Sequence, residues 1–106
     1  MDLAVACYAV TAVFPKEEAF GLTSQIRRSA SSIPANIAEG HGREQTKSFI
    51  QYLRIAQGSL KELETRLLLS ERTGLAVESD VAPLLELSDE IGRMLRSMIR
   101  KLQEKT

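Results

Sequence analysis

Six polar residues, Gln25, Ser29, Ser32, Asn36, Glu39 and Arg43, follow one another at steps of 4, 3, 4, 3 and 4. At 3.6 residues per turn, that spacing lays them along one face of a helix. A solvated helix face more usually carries Lys, Glu and Arg. A row of Ser, Ser and Asn offers short side chains, which let another backbone come close and hold hydrogen bonds of fixed geometry. The chemistry this row suits is a hydrogen-bonded seam between helices. The competing reading is an ordinary wet helix face.

Residues suited to bond-breaking chemistry are sparse. His41 is the only histidine and follows Gly40, with no nucleophile-elbow motif near any serine, so it reads as a surface turn residue. Cys7 is the only cysteine and lies among Ala and Val. It excludes an intrachain disulfide, reads as a small buried hydrophobe, and fits a cytoplasmic protein. Glu62 and Glu64 are two apart and do not share a helix face, and the Glu-x-x-His pattern of di-iron bundles is absent. No phosphate-cradling glycine motif occurs. The expectation is a protein with no cofactor, no metal and no enzymatic activity of its own.

Charge is more informative in its distribution than in its total, which is zero. Residues 1–26 sum to −2, residues 27–54 to +3, residues 71–90 to −5, and the tail from Arg93 to +4. Arg27, Lys47 and Arg54 belong to the first basic block. Arg93, Arg96, Arg100 and Lys101 form the second, with the three arginines at steps of 3 and 4 on one helix side. These seven are the candidate contacts to RNA or DNA phosphates. Aromatics interleaved for base stacking are missing. The alternative is that the basic blocks meet the acidic block of a neighbouring subunit.

Helices must position all of these residues. The chain has 106 residues, 43% of them hydrophobic, with no Trp, six Gly and three Pro. That is one domain, 1–106, with a core of Leu, Ile, Ala and Val and too few turn residues for an all-β fold. Residues 3–13 read as a short amphipathic helix ended by Phe14-Pro15. "KEEAF" supplies acids to the start of a second helix, whose apolar stripe is Leu22, Ile26, Ala30, Ile33 and Ile37. The stripe runs through Pro34 without slipping, so the spacing predicts a helix kinked there, with Gly40 and Gly42 ending it.

The third helix spans Lys47 to about Arg72, with Thr46 as N-cap and Gly74 at its end. Phe49, Leu53, Ala56, Leu60, Leu63 and Leu67 form a heptad seam on it. Gly58 stands mid-helix, which implies that another backbone passes close there, and Ser59 follows it. The fourth helix runs from about Asp80 to Leu102, with Ser79 as cap and Pro83 in its first turn. Its stripe is Val81, Leu84, Ser88, Ile91, Leu95, Met98 and Leu102, and Leu85, Leu87, Met94 and Ile99 widen the apolar face beyond one partner helix. The fold class expected is all-α, an antiparallel up-down four-helix bundle. The apolar start is too short to span a bilayer, so no membrane is expected.

Four segments carry a resemblance to a known family. "FPKEE", "LTSQIRR", "SIPANIAEGHGR" and "GSLKEL" stand in order and at the spacing of the proteins named after reading frames in 23S ribosomal RNA intervening sequences. The resemblance covers about residues 8–70. It departs at the start, where members have several more residues before the position of Leu3, and at His41, often aromatic in members. The resemblance implies an up-down four-helix bundle in a homopentameric ring. It also implies that Arg28, Ser32, Asn36, Glu39 and Arg43 build a structural polar network. Accessory proteins of diversity-generating retroelements, a related group, use such a ring to bind a reverse transcriptase and nucleic acid.

Residues and resemblance together predict a non-enzymatic, homo-oligomeric scaffold, a pentamer. Gln25, Arg28, Ser29, Ser32, Asn36, Glu39, Arg43, Gly58 and Ser59 would form its polar network or subunit interface. Its partners would be copies of itself and RNA, DNA or a reverse-transcriptase-like protein. The alternative is a protein–protein adaptor with no nucleic-acid contact.

Overall fold

The computed structural model describes residues 1–105. They form four α-helices, with no strand among them: α1 Asp2–Thr11, α2 Leu22–His41, α3 Thr46–Arg72 and α4 Glu78–Glu104. A 3-10 turn, Lys16–Glu18, joins α1 to α2. α2 packs most extensively on α3, α3 on α4, and α1 on both α2 and α4. The molecule measures 47 × 23 × 18 Å. Its long axis suits the two 27-residue helices, each about 40 Å at 1.5 Å per residue.

The apolar stripes form the core. Leu22, Ile26, Ala30 and Ile33 of α2 are buried, as are Leu53, Ala56, Leu60, Leu63 and Leu67 of α3. α2 continues through Pro34 without interruption. On α4 the buried row is Val81, Leu84, Ser88, Gly92, Leu95 and Ile99. The expected row used Ile91 and Met98, which are only partly buried. Gly92 takes the inward place facing α3, with Leu60 Cδ2 3.5 Å from where its Cβ would stand, an ordinary contact distance.

Helix ends differ from expectation in instructive ways. The acids of "KEEAF" are not inside α2 but on the preceding turn. Glu18 Oε1 still accepts the Leu22 N–H at 3.4 Å, so its charge serves the start of α2 from outside. Thr46 and Ser79 lie within their helices; the capping positions belong to Gln45 and Val77, neither with a side-chain cap. Pro83 is the sixth residue of α4, past the first turn, so its ring removes the N–H that would bond the Ser79 carbonyl. The end of α3 is as expected: Gly74 has φ +81°, and Leu75 donates back to the Ser70 carbonyl at 2.9 Å.

Cys7 is fully buried among the core residues of α1, and burial pushes its thiol from 9.0 up to about 12. The folded state therefore holds the proton more tightly than the unfolded chain. This contribution to stability is complete below pH 9.0 and is lost as pH rises towards about 12. The expected result is a urea midpoint that falls more between pH 9 and 10.5 in the parent than in Cys7→Ala. Equal slopes would show that the thiol ionises normally in the fold.

Candidate functional site

The polar row of α2 faces α3. Ser32 Oγ and Ser59 Oγ lie 2.9 Å apart, bridging the two helices. The Asn36 amide donates to the Ser32 carbonyl at 2.8 Å and to Ser32 Oγ at 2.9 Å. With Asn36 donating, the Ser32 proton is available for Ser59. Seven residues earlier, buried Ser29 donates to the Gln25 carbonyl at 2.9 Å and accepts from Arg66 of α3. Arg66 also reaches the Gln25 carbonyl at 3.2 Å and pairs with Glu62 at 3.4 Å.

Just beyond the end of α2, Arg43 donates to Glu39 at 2.7 Å and to the Tyr52 hydroxyl at 2.9 Å, its guanidinium 5.2 Å from the Tyr52 ring centre. The hydrogen bond donated to the Glu39 carboxylate, with the electrostatic influence of Tyr52 and Glu39, raises the Arg43 pKa further above its ordinary value. Each neutral bond of the seam contributes about 1 kcal/mol net. Because the seam's polar groups satisfy one another, its effect is to fix the register of α2 on α3.

Two residues of the expected network fall elsewhere. Arg28 is exposed, and only its backbone carbonyl is engaged, by Ser31 at 3.3 Å. Gly58 has nothing within 4 Å of its would-be Cβ, so no other segment of the described residues passes close there. The close passage is at Gly40, where a Cβ would stand 2.7 Å from Tyr52 Cβ and 2.9 Å from Phe49 Cδ1. Arg66 and Tyr52 complete the seam and were not legible from α2. Arg66 sits one residue before the Leu67 seam position, a spacing shared by many surface arginines.

The basic residues divide in two. Arg27 is committed: its Nε donates to Thr11 Oγ1 at 2.9 Å, and its guanidinium lies 4.6 Å from the Tyr8 ring centre, pinning α1 to α2. Arg93 pairs with Asp89 one turn away. Lys47, Arg54, Arg96, Arg100 and Lys101 are exposed, and none forms an ion pair among the described residues. No group of three His, Cys, Asp or Glu side chains placed to hold a metal occurs among the described residues. No described helix is long and apolar enough to cross a membrane.

Comparison with known proteins adds two findings. Residues 1–97 match the family model described as 23S rRNA-intervening sequence protein. The crystal structure of a protein with unknown function from the S23 ribosomal protein family of Bacteroides thetaiotaomicron is similar, with a TM-score of 0.82 and 31% identity over 92% of each chain. No curated protein matches the sequence.

Proposed function

The chain belongs to the 23S rRNA-intervening sequence protein family, and from that premise we propose that it is a non-enzymatic, self-assembling scaffold that binds nucleic acid. The fold is an up-down antiparallel bundle. Gln25 and Ser29 early in α2 meet Arg66 late in α3, while Arg43 beyond α2 meets Tyr52 early in α3. α2 bends at Pro34, whose ring denies the Ala30 carbonyl its usual N–H.

Self-assembly draws support from apolar surface left open on the single chain. A hollow of about 100 Å³ is lined by Leu3, Ile33, Pro34, Ile37 and Ile91. Around it stand Met1, 82% exposed, and Met94, 46% exposed. Contiguous apolar surface of this kind marks an interaction site, and a second copy covers it in this reading. The ring of five is what the family resemblance implies. The related retroelement accessory proteins make a reverse-transcriptase-like protein the enzyme partner in this reading, and the single buried cysteine suits a cytoplasmic setting.

The observation that carries the nucleic-acid reading is the set of uncommitted cations, Arg54, Arg96, Arg100, Lys47 and Lys101. A ring repeats them about its axis, so their fields add despite zero net charge. Because Arg93 already has Asp89, the informative variant is Arg96→Glu with Arg100→Glu. The expected result is RNA binding that weakens steeply between 50 and 200 mM salt, and weakens by at least about tenfold in the variant. A protein that ignores RNA and DNA at low salt is instead the protein–protein adaptor, its basic blocks facing the acidic residues of 71–90.

A further inference from the structure

A second polar cleft lies between α1 and α2, away from the seam. It is open, about 450 Å³, and lined by Tyr8, Thr23, Ser24, Arg27, Arg28 and Ser31, with Ala19 at its edge. Ser24, Arg28 and Ser31 are spaced 4 and 3 apart on one face of α2. Arg27 stands beside them, immobilised by Thr11 and by the Tyr8 ring. Thr23, in the cleft wall, is only 9% exposed, and its Oγ1 is shut off from water without a hydrogen-bond partner. An orphaned buried hydroxyl is destabilising, and a rotation about its Cα–Cβ bond that turns it into the cleft to meet an acceptor removes that cost.

The cleft also adjoins the first turn of α2. Glu18 takes the Leu22 N–H, while the N–H groups of Thr23 and Ser24 have no hydrogen-bond partner among the described residues. Two guanidiniums and four hydroxyls, those of Tyr8, Thr23, Ser24 and Ser31, therefore line the cleft beside the two unpaired amides, the Ser31 hydroxyl already donating to the Arg28 carbonyl, and Arg28 has no acidic partner among the described residues. Every one of these groups can donate, and the two arginines give the cleft a positive field. Glu18, at the start of α2, is the one acid engaged there, and its Oε1 is occupied by the Leu22 amide.

We propose that this cleft binds a phosphate group, with Arg28 and the Thr23 and Ser24 donors as its contacts and Arg27 as the fixed positive wall. The proposal rests on the nucleic-acid reading for the larger ligand, since a phosphodiester of RNA and a free phosphate present the same tetrahedral oxygens. Arg27 serves here without being displaced, because its contacts to Thr11 and Tyr8 leave further guanidinium N–H groups unengaged.

The test is an amide chemical-shift titration of the intact protein, first with inorganic phosphate, then with a short single-stranded RNA. Saturable shifts are expected at the Thr23, Ser24 and Arg28 amides in both arms. Arg28→Gln is expected to weaken both by about tenfold while leaving the melting temperature unchanged, since its guanidinium makes no contact in the fold. Thr23→Val, which keeps the shape and removes the hydroxyl, is expected to weaken phosphate binding and to raise stability.

Absence of shifts at these amides in both arms overturns the proposal. RNA binding that survives Arg28→Gln but is lost with Arg96→Glu and Arg100→Glu also overturns it, while leaving the nucleic-acid reading intact. Phosphate bound at the cleft, with no RNA binding at all, keeps the cleft and removes that reading.

Discussion

Gly40→Val is expected to destabilise the protein by about 3 kcal/mol. Even the first added carbon would stand 2.7 Å from Tyr52 Cβ and 2.9 Å from Phe49 Cδ1, well inside van der Waals contact. Tyr52 Cβ is bonded directly to the α3 backbone, so it cannot swing aside as a side-chain tip would. The helices must separate, and the Arg43–Tyr52 hydrogen bond next to the crossing opens with them.

Two other glycines are internal controls. Gly58→Ala meets open space within the chain and gains the helix propensity of alanine, about 1 kcal/mol. Gly42→Ala meets only the Ala38 and Glu39 carbonyls at 3.6 Å, an ordinary contact. Urea unfolding of the three variants separates these cases. If Gly40→Val matched the parent midpoint, α2 and α3 would not be in close contact there. If Gly58→Ala lowered stability in a concentration-dependent way, a neighbouring copy would lie against Gly58.

Leu63→Ala is expected to cost about 2–5 kcal/mol, the lost transfer energy plus the cavity it leaves. Leu63 is fully buried at mid-length of α3, between the seam residues Ser59 and Arg66. Collapse around the gap is resisted, because the Ser32–Ser59 and Ser29–Arg66 bonds hold α2 and α3 in register on either side. The comparison residue is Ile55, 46% exposed, where alanine is expected to cost no more than about 0.5 kcal/mol in the isolated chain. Chemical denaturation at low protein concentration reads both. Similar losses at the two positions would mean that Leu63 does not occupy the core.

Much of this fold is legible in the sequence because helix faces are a local property. A buried residue recurs every three or four positions whatever it packs against, so the rows Leu22–Ile33 and Leu53–Leu67 need no knowledge of their partners. The Ser32, Asn36 and Ser59 contacts lie along the same periodicity. The phase of α4 was harder to read. Ile91 and Met98 are more hydrophobic than Gly92, and hydrophobicity alone placed them in the row. The structure instead turns Gly92 inward, with Leu60 3.5 Å from where its Cβ would stand, so the buried row is set by how α4 packs on α3 and not by hydrophobicity along α4.

Other features depend on residues far apart in the chain. Arg66 joins Ser29 across 37 positions, and Arg27 joins Thr11 across 16. Neither α2 nor α3 alone distinguishes Arg66 from Arg54, or Arg27 from Arg28. Which arginines are committed and which are available to a ligand is settled only when α1 and α3 are laid against α2.

The sequence by itself determined four helices, the faces that α2 and α3 bury, and a polar row on the second, since all follow from spacing along a single backbone. Tertiary structure alone decided which glycine marks the close crossing, which arginines are tied down, and that an orphaned threonine hydroxyl belongs to a residue lining the same cleft as two arginines. Those outcomes depend on distances between segments tens of residues apart, and distances of that kind are fixed by packing.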